Sequence, residues 1–321
     1  MSAPTVSVLL TTYNREGFVA AAIESVLGQT YRDLELVVVD DGSTDRTVEI
    51  ARTYERRDAR VRVAVNERNL GQFRNRNHAA ALARGTLLKY HDSDDLMYPH
   101  CLEVMVAMLQ SEPRAGFGLS SGARWEGGPC PMLLTPRMAY QREFFGEGLF
   151  FCGPAGALFR TDVFRALGGF PDEGVASDHL FWMRATKTTS VLLLPADLFW
   201  YRMHPAQEFQ SEKGRLEYAR VPGLVWRALQ DPDCPLTPEE REQAKRNRAF
   251  LTARRTFEDI RRGRFAFALN RLRYSNMGPG DWLRYLRRPR RDAFAGTPLE
   301  PDGDFSLPAW ARPRDGAARH A

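Results

Sequence analysis

The acidic segment Asp92-Ser93-Asp94-Asp95 has residue types and spacing suited to metal chemistry. It directly follows an apolar run, and a turn at the end of a strand can bring two carboxylates together. Mg²⁺ and Mn²⁺ prefer oxygen ligands and share them with phosphate groups of a substrate. The segment therefore predicts a site for a metal–diphosphate group. The alternative is that these residues cap the helix expected to begin at Pro99.

Two further polar clusters follow apolar runs in the same way. Residues 11–14, Thr-Thr-Tyr-Asn, come after the first run, and Asp40 and Asp41 close the second. Adjacent carboxylates beside a buried strand are costly unless they accept hydrogen bonds. One of the pair is expected to accept from a nucleobase N–H or a ribose hydroxyl, or else Asp41 only shapes the turn before the next helix.

The elements that must position these clusters alternate between strands and helices. Apolar runs predict strands at 6–10, 34–39, 61–65 and 86–90, and helical periodicity predicts helices at 19–27, through Ile50 and Tyr54, at 72–83 and at 99–111. Such alternation predicts an α/β fold with a mostly parallel sheet. Ligands of open parallel sheets bind at the carboxyl ends of the strands, where all three polar clusters lie.

The second half of the chain is less regular. Residues 123–150 are expected to form a long loop region, followed by a strand at 155–160, a helix capped by Ser177 and a strand at 191–194. Thr237 and Pro238 predict the start of a basic helical stretch that reaches about Tyr274. The last thirty residues are rich in Pro, Gly, Ala and Arg and are expected to lack fixed structure.

Composition limits the class of protein. The chain has 321 residues, of which 43% are hydrophobic, so it can bury a sizeable core and is not expected to be disordered. It contains no apolar stretch of the ~18 residues that a membrane-spanning helix needs, and its first residues do not resemble a signal peptide. Four cysteines without metal-ligand spacing indicate reduced thiols. We therefore expect a cytoplasmic protein.

Positive charge is concentrated near the C-terminus. Residues 241–291 hold 16 Lys and Arg against four acidic residues, although the whole chain carries only +5. A basic helix with an apolar side can contact an anionic membrane, here the inner face of the membrane, or can pack on its own domain with a solvated arginine face. Nucleic-acid binding is not expected, because no recognised module is present.

Seven segments, read in order, are similar to the motifs of one enzyme family. They are Val6–Arg15, Ser25–Tyr31, Leu36–Asp45, Asn69–Asn77, His91–Asp95, Gly168–Trp182 and Tyr201–Pro205. Together they resemble family 2 glycosyltransferases over roughly residues 5–205. The resemblance implies a GT-A fold and transfer of a sugar, with inversion, from a nucleotide diphosphate donor. UDP is the expected nucleotide, with dTDP and GDP as alternatives, and the expected acceptor is a saccharide or lipid-linked saccharide.

The resemblance also implies roles for individual residues. Thr11, Tyr13 and Asp41 would hold the nucleobase, with Tyr13 stacked on it. Arg76 would lie near the nucleotide, and Asp94 would contact the ribose or the metal.

The remaining implied roles concern catalysis. Asp95, with Asp94 and His204, would ligate Mn²⁺ or Mg²⁺, and Asp178 would be the catalytic base that deprotonates the acceptor hydroxyl. Many family members have Glu-Asp where this chain has Ser177-Asp178, so only the aspartate carries over. Capping of a helix is the alternative role for Asp178.

These observations predict three segments. Residues 1–221 would form a GT-A domain with a nucleotide-sugar half (1–120) and an acceptor half (121–221). A basic helical extension (222–291) and a flexible tail (292–321) would follow.

Two rival functions stay open. A catalytically inactive scaffold that binds sugar nucleotides would share the same motifs. A nucleotidyltransferase would need a glycine-rich, basic loop after the first strand, which residues 11–17 do not provide.

Overall fold

The apolar runs of the sequence form the strands of a central sheet in this computed structural model, which describes residues 3–120, 130–146, 148–204 and 211–285. The strands are β1 (Val6–Thr12), β2 (Leu34–Asp40), β3 (Val61–Val65), β4 (Leu87–Asp92), β5 (Leu96–Met97), β6 (Ala115–Leu119), β7 (Met132–Leu134), β8 (Ala157–Arg160), β9 (Ser190–Leu193) and β10 (Phe199–Trp200). Within these ranges, one sheet has the order β3-β2-β1-β4-β8-β6-β9-β7, and β10 pairs with β5 in a separate ribbon.

The sheet is mostly parallel, as predicted. β2 and β4 both pair with β1 in parallel, and β3 continues the parallel half beside β2. β8 runs antiparallel to both β4 and β6, and β7 runs antiparallel to β9 at the far edge. The carboxyl ends of β1, β2 and β4 consequently lie side by side.

Helices connect the strands and cover both faces of the sheet. They are α1 (Val19–Leu27), α2 (Thr47–Arg57), α3 (Gln72–Leu82), α4 (Cys101–Ser111), α5 (Pro136–Phe145), α6 (Thr161–Ala166), α7 (Ser177–Thr188), α8 (Glu212–Tyr218), α9 (Val221–Gln230), α10 (Pro238–Arg261), α11 (Phe265–Arg273) and α12 (Pro279–Tyr285). None of the helices in the described ranges is both long enough and apolar enough to cross a bilayer.

Two apolar layers hold the sheet between the helices. Along β2, Leu36 packs in the layer that contains α1 and α4, whereas Val37 packs in the layer that contains α3, α5 and α7. This alternation follows from the two-residue period of a strand. It explains why β2 is apolar without interruption from Leu36 to Val39, since both faces of the strand are buried.

The expectation of a long loop over 123–150 was wrong for its described part. Residues 132–134 form β7 and residues 136–145 form α5. Thr135 caps α5, because its side chain accepts a hydrogen bond from the Met138 N–H, and Pro136 occupies the first helical position. Met138 and Phe144 bury their side chains in the core. Residues 121–129 and 147 lie outside the described residues.

The C-terminal helices pack on the same core as the sheet. α9 contributes Leu224, Val225 and Leu229 to the layer that contains α7, and Leu236 and Ala244 extend this layer into α10. Burial therefore continues without a break across residue 221, the predicted domain boundary.

The predicted start of the basic helix is confirmed. The Thr237 side chain and the Glu240 side chain cap each other's backbone N–H groups in a capping box, and Pro238 opens α10. Residues 286–291 of the basic segment and the predicted flexible tail, 292–321, lie outside the described residues.

Candidate functional site

A cleft of about 1340 Å³ opens at the carboxyl ends of β1, β2 and β4. Most of the predicted site residues line it, namely Thr11, Tyr13, Asp41, Arg76, Asp94 and Asp178. α10, α11 and the turn between them supply another part of its lining. The parallel topology thus brings the three polar clusters at the strand ends together, as expected, and Arg76 of α3 and Asp178 of α7 line the same cleft.

The loop after β1 presents an aromatic ring to the cleft. Tyr13 is 44% exposed, so a face of its ring is open to a ligand. The next residue, Asn14, adopts a left-handed backbone with φ of 51°. Its side-chain oxygen accepts from the Thr44 N–H at 2.9 Å, and its own N–H donates to Ser43 Oγ at 2.8 Å. The loops after β1 and β2 are therefore held together, which fixes the position of Tyr13.

The carboxylate of Asp41 holds the loop that leads into α3. Oδ1 accepts from Asn66 Nδ2 and from the Leu70 N–H, both at 2.8 Å, and Oδ2 accepts from the Gly71 N–H at 2.9 Å. Asp41 is 3% exposed, so these bonds compensate for the burial of its charge. The turn-shaping role that the sequence allowed for Asp41 belongs instead to Asp40, which accepts from the backbone N–H groups of residues 42 and 43.

Arg76 lies beneath the acidic segment. Its Nη2 donates to Asp92 Oδ1 at 2.5 Å, and its guanidinium carbon is 5.4 Å from the centre of the Phe73 ring. Asp92 is the last residue of β4, which is longer than the strand expected at 86–90. Since both Arg76 and Asp92 line the cleft, this ion pair forms part of its floor.

Asp94 and His204 are in direct contact. Asp94 Oδ2 accepts from His204 Nε2 at 2.9 Å and from Arg15 Nε at 3.2 Å. The His204 ring is stacked on Phe18, with 5.0 Å between the ring centres. The contact joins two of the three predicted metal ligands, although they are 110 residues apart in the sequence.

Asp95 has a different environment from Asp94. It is 1% exposed and its Oδ1 accepts from the Arg202 N–H at 3.0 Å, while its Oδ2 has no hydrogen-bond partner in the described part of the chain. Burial, reinforced by the negative charge of Asp92, raises the pKa of Asp95 to about 7.

The three predicted ligands do not converge on one point. In the described ranges, no group of three His, Cys, Asp or Glu side chains is arranged to hold a metal ion. The side chains at the cleft are nevertheless of the types that bind Mn²⁺ and Mg²⁺. Asp92 and Asp94 present carboxylates, and His204 lies beside Asp94. The role of Asp95 as a ligand stays a prediction.

Asp178 stands in the first turn of α7 and faces the cleft. Its Oδ1 accepts from the His179 N–H at 2.6 Å. Burial raises the pKa of Asp178 to about 6, against the opposite effects of this hydrogen bond and of the Arg76 charge. The prediction that Ser177 caps this helix was wrong. Its hydroxyl instead forms hydrogen bonds with the backbone of residues 173 and 174.

The C-terminal helices supply functional candidates that sequence reasoning missed. Four arginines of α10, of α11 and of the turn between them line the cleft: Arg248, Arg255, Arg264 and Arg271. The sequence was interpreted only as a basic surface for membranes or solvent. The seven-residue spacing of Arg248 and Arg255, which places both on one helix face, was the available signal.

Comparisons with known proteins agree with the motifs. A sequence model described as "Glycosyl transferase family 2" matches residues 7–168. The uncharacterized glycosyltransferase EpsJ of Bacillus subtilis is 31% identical over 63% of this chain and 62% of its own length. The putative glycosyltransferase EpsH of the same organism is 36% identical over 67% of this chain and 66% of its own length. The chain thus spans slightly less than two thirds of these relatives.

Solved structures share the fold. TarS 1–349 of S. aureus in complex with UDP overlaps 75% of this chain and 69% of that chain, with a TM-score of 0.56 and 23% identity. The mannosyltransferase PcManGT of Pyrobaculum calidifontis, in complex with GDP-Man and Mn²⁺, overlaps 87% of this chain and 77% of that chain, with a TM-score of 0.61 and 20% identity.

Proposed function

Because the chain belongs to glycosyltransferase family 2, we propose that it transfers a sugar with inversion from a nucleotide diphosphate sugar to a hydroxyl of a saccharide or lipid-linked acceptor. The observation that carries this proposal is the convergence of Tyr13, Asp94 and Asp178 on one cleft. UDP is the proposed donor nucleotide. TarS has been captured with UDP and with UDP-GlcNAc, which supports this choice, whereas PcManGT has been captured with GDP-Man.

The first wall of the cleft binds the donor. The exposed Tyr13 ring stacks on the nucleobase, with Thr11 beside it. The Asp41 carboxylate holds the loop before α3 in place at the same part of the cleft. Asp41 also has room for one further interaction, because each carboxylate oxygen can accept more than one hydrogen bond. The rigid loops around Tyr13 reduce the ordering cost of donor binding.

Asp178 acts as the catalytic base. It takes the proton of the acceptor hydroxyl as that oxygen attacks the anomeric carbon and the bond to the donor diphosphate breaks. A pKa of about 6 suits this role, because the carboxylate is ionised at neutral pH and is still basic enough to accept a proton. Inversion follows from attack on the side opposite to the leaving diphosphate.

Asp92, Asp94 and His204 are the residues that would hold a divalent ion beside the diphosphate. Bound Mn²⁺ or Mg²⁺ supplies positive charge that stabilises the departing diphosphate. Arg76 contributes a fixed positive charge on the same side, and its ion pair with Asp92 orients that carboxylate.

Replacement of Asp178 by Asn tests the proposal. We expect Asp178→Asn to bind a UDP-sugar with an unchanged Kd, measured by calorimetry, and to lose turnover. Asp172→Asn is a matched control, because Asp172 is an exposed acid that pairs with Arg74 on the surface. Full turnover in Asp178→Asn would reject Asp178 as the base, and no binding of any nucleotide sugar to the native protein would reject the proposed function. A native protein that binds a nucleotide sugar without turnover would favour the scaffold.

The exposed face of α11 supports peripheral contact with an anionic membrane on the cytoplasmic side. Phe265, Leu269 and Leu272 lie at i, i+4 and i+7 and are 66%, 66% and 44% exposed, with Arg273 beside them. Apolar side chains flanked by arginines are suited to the interface of anionic lipids.

Co-sedimentation with liposomes that contain anionic lipid tests this contact. We expect the full chain to bind at low salt and the double variant Phe265→Ser/Leu269→Ser to lose most of the binding. Val65→Ser is the control, because Val65 is an exposed apolar residue of β3 rather than of α11. Equal sedimentation of all three proteins would contradict membrane contact through α11.

A further inference from the structure

Two arginines of α10 line the same cleft as the proposed donor-binding residues. Arg248 and Arg255 are seven residues apart, so they lie on the same helix face two turns apart, and both line the cleft. Asp178, the proposed base, lies on the same cleft. A hydroxyl that reaches the base therefore belongs to a molecule bound in the cleft that these arginines line.

The positive charge of this pair is poorly compensated. The side chain of Arg248 is 17% exposed, and its nearest carboxylate oxygen, Glu143 Oε1, is 3.8 Å from its Nη2. The other oxygen of Glu143 already accepts from the backbone N–H groups of Leu149 and Phe150. Arg255 is exposed and has no ion-pair partner in the part of the chain that the structure describes. A cleft wall with two guanidinium groups on one helix face and little compensating negative charge favours an anionic ligand.

Further positive charge lies at the same end of the cleft. Arg264 and Arg271 share a single carboxylate, that of Asp259, at 2.6 and 3.0 Å. All three side chains line the cleft, so this group also has more positive than negative charge.

A buried imidazole next to the base provides a second, independent indication of a ligand. His179 is 4% exposed, lines the cleft, and its Nε2 has no hydrogen-bond partner among the described residues. The ring is held by edge contacts with Phe150 and Phe151. Buried polar atoms are rarely left unpaired, so Nε2 is suited to binding a group of the ligand.

We propose that Arg248, Arg255 and His179 form a subsite for a phosphate group of the acceptor. The inference rests on the proposed function and names its acceptor class as a phosphate-bearing saccharide. Guanidinium groups match phosphate oxygens with two parallel hydrogen bonds, which a neutral sugar cannot offer. The phosphate belongs either to a lipid phosphate linker or to a soluble phosphorylated glycan.

The test titrates phosphate esters into the full chain after the donor site has been saturated with UDP and Mg²⁺. Farnesyl phosphate, below its micelle concentration, represents a lipid phosphate, and glycerol phosphate represents a soluble one. Farnesol and glycerol are the uncharged controls. We expect calorimetry to detect binding of a phosphate ester but not of its alcohol, and the tighter ester identifies the source of the phosphate.

Substitutions at exposed positions of one helix make the test specific. We expect Arg255→Gln to weaken the Kd of the phosphate ester about tenfold, because a charge-assisted hydrogen bond to phosphate is lost. Arg254→Gln is the matched control, since Arg254 is an exposed neighbour that pairs with Glu258 and does not line the cleft. Arg248→Gln should have a similar effect, and its melting temperature shows whether it folds.

Three results would overturn the subsite. The first is no binding of either ester to the UDP-loaded protein, and the second is the same Kd for native protein, Arg255→Gln and folded Arg248→Gln. The third is a weaker Kd for UDP in Arg255→Gln, which would assign the arginine to the donor. If UDP itself does not bind, the proposed function fails separately, and the same titration of the nucleotide-free protein still decides whether phosphate binding depends on Arg255.

Discussion

Asp178 combines a proposed chemical role with an energetic cost. Its pKa is raised to about 6 because burial disfavours the charged carboxylate. A carboxyl group whose folded-state pKa lies above its unfolded value stabilises the fold when protonated. That contribution is complete at about pH 4 and is lost as the pH rises through about 6.

Asp178→Asn should therefore stabilise the protein at neutral pH. We expect the free energy of unfolding at pH 7 to rise by about 1–3 kcal/mol, since each unit of pKa shift corresponds to about 1.4 kcal/mol. Urea unfolding at pH 4 and at pH 7 measures the gain, which should be near zero at the lower pH. A variant less stable than the native protein at pH 7 would contradict the burial argument.

The pH dependence of turnover tests the base itself. With a pKa of about 6, Asp178 becomes protonated as the pH falls, so kcat should drop about tenfold per unit well below pH 6. The measurement is kcat between pH 5 and 8 at saturating donor. A kcat that stays constant from pH 7 to pH 5 would exclude Asp178 as the base.

At the scale of elements, Asp41 joins the end of β2 to the loop before α3. In Asp41→Asn, the side-chain NH₂ group would face the backbone N–H of either Leu70 or Gly71. Both groups are donors, so one hydrogen bond of Asp41 is lost. We expect Asp41→Asn to lower the free energy of unfolding by about 1–3 kcal/mol and to weaken nucleotide binding. Chemical denaturation and calorimetry measure both effects. Glu67→Gln, at an exposed position of the same loop, should change neither.

The sequence predicted the elements whose periodicity is strong. β1 to β4 and α1 to α4 were expected within a few residues, and the comparisons confirm the GT-A fold. α5 was missed, although Thr135-Pro136 is the same start signal that located α10 at Thr237-Pro238. Nearby glycines and prolines obscured it.

Among site residues, the sequence could place those at strand ends, because a parallel sheet fixes where such ends meet. It could not show that Asp94 contacts His204, or that Asp95 is buried and accepts from the Arg202 N–H, since both facts depend on the path of residues 201–204. The spacing of Arg248 and Arg255 indicates that they share a helix face, but not that this face lines the cleft, because tertiary packing decides which face a helix turns inward.

At the scale of the whole molecule, the helices beyond residue 221 are part of the main core. Leu229 of α9 is fully buried in the layer that contains α7. We expect Leu229→Ala to lower the free energy of unfolding by about 2–4 kcal/mol. The variant should unfold in one calorimetric transition whose midpoint rises with nucleotide. Two separate transitions would support the predicted division at residue 221.

The two walls of the cleft come from different stretches of the chain. The strand ends supply one wall within the first hundred residues, and α10 and α11 supply the other. The proposed acceptor subsite therefore predicts that point mutations in the helical wall alter acceptor preference while donor use is inherited unchanged. Exchange of the whole helical segment between homologues is more restricted. A graft that carried α10 and α11 would have to match Leu224, Val225 and Leu229 of α9, and a graft that also carried α9 would have to match the core around α7, so either crossover must preserve buried contacts.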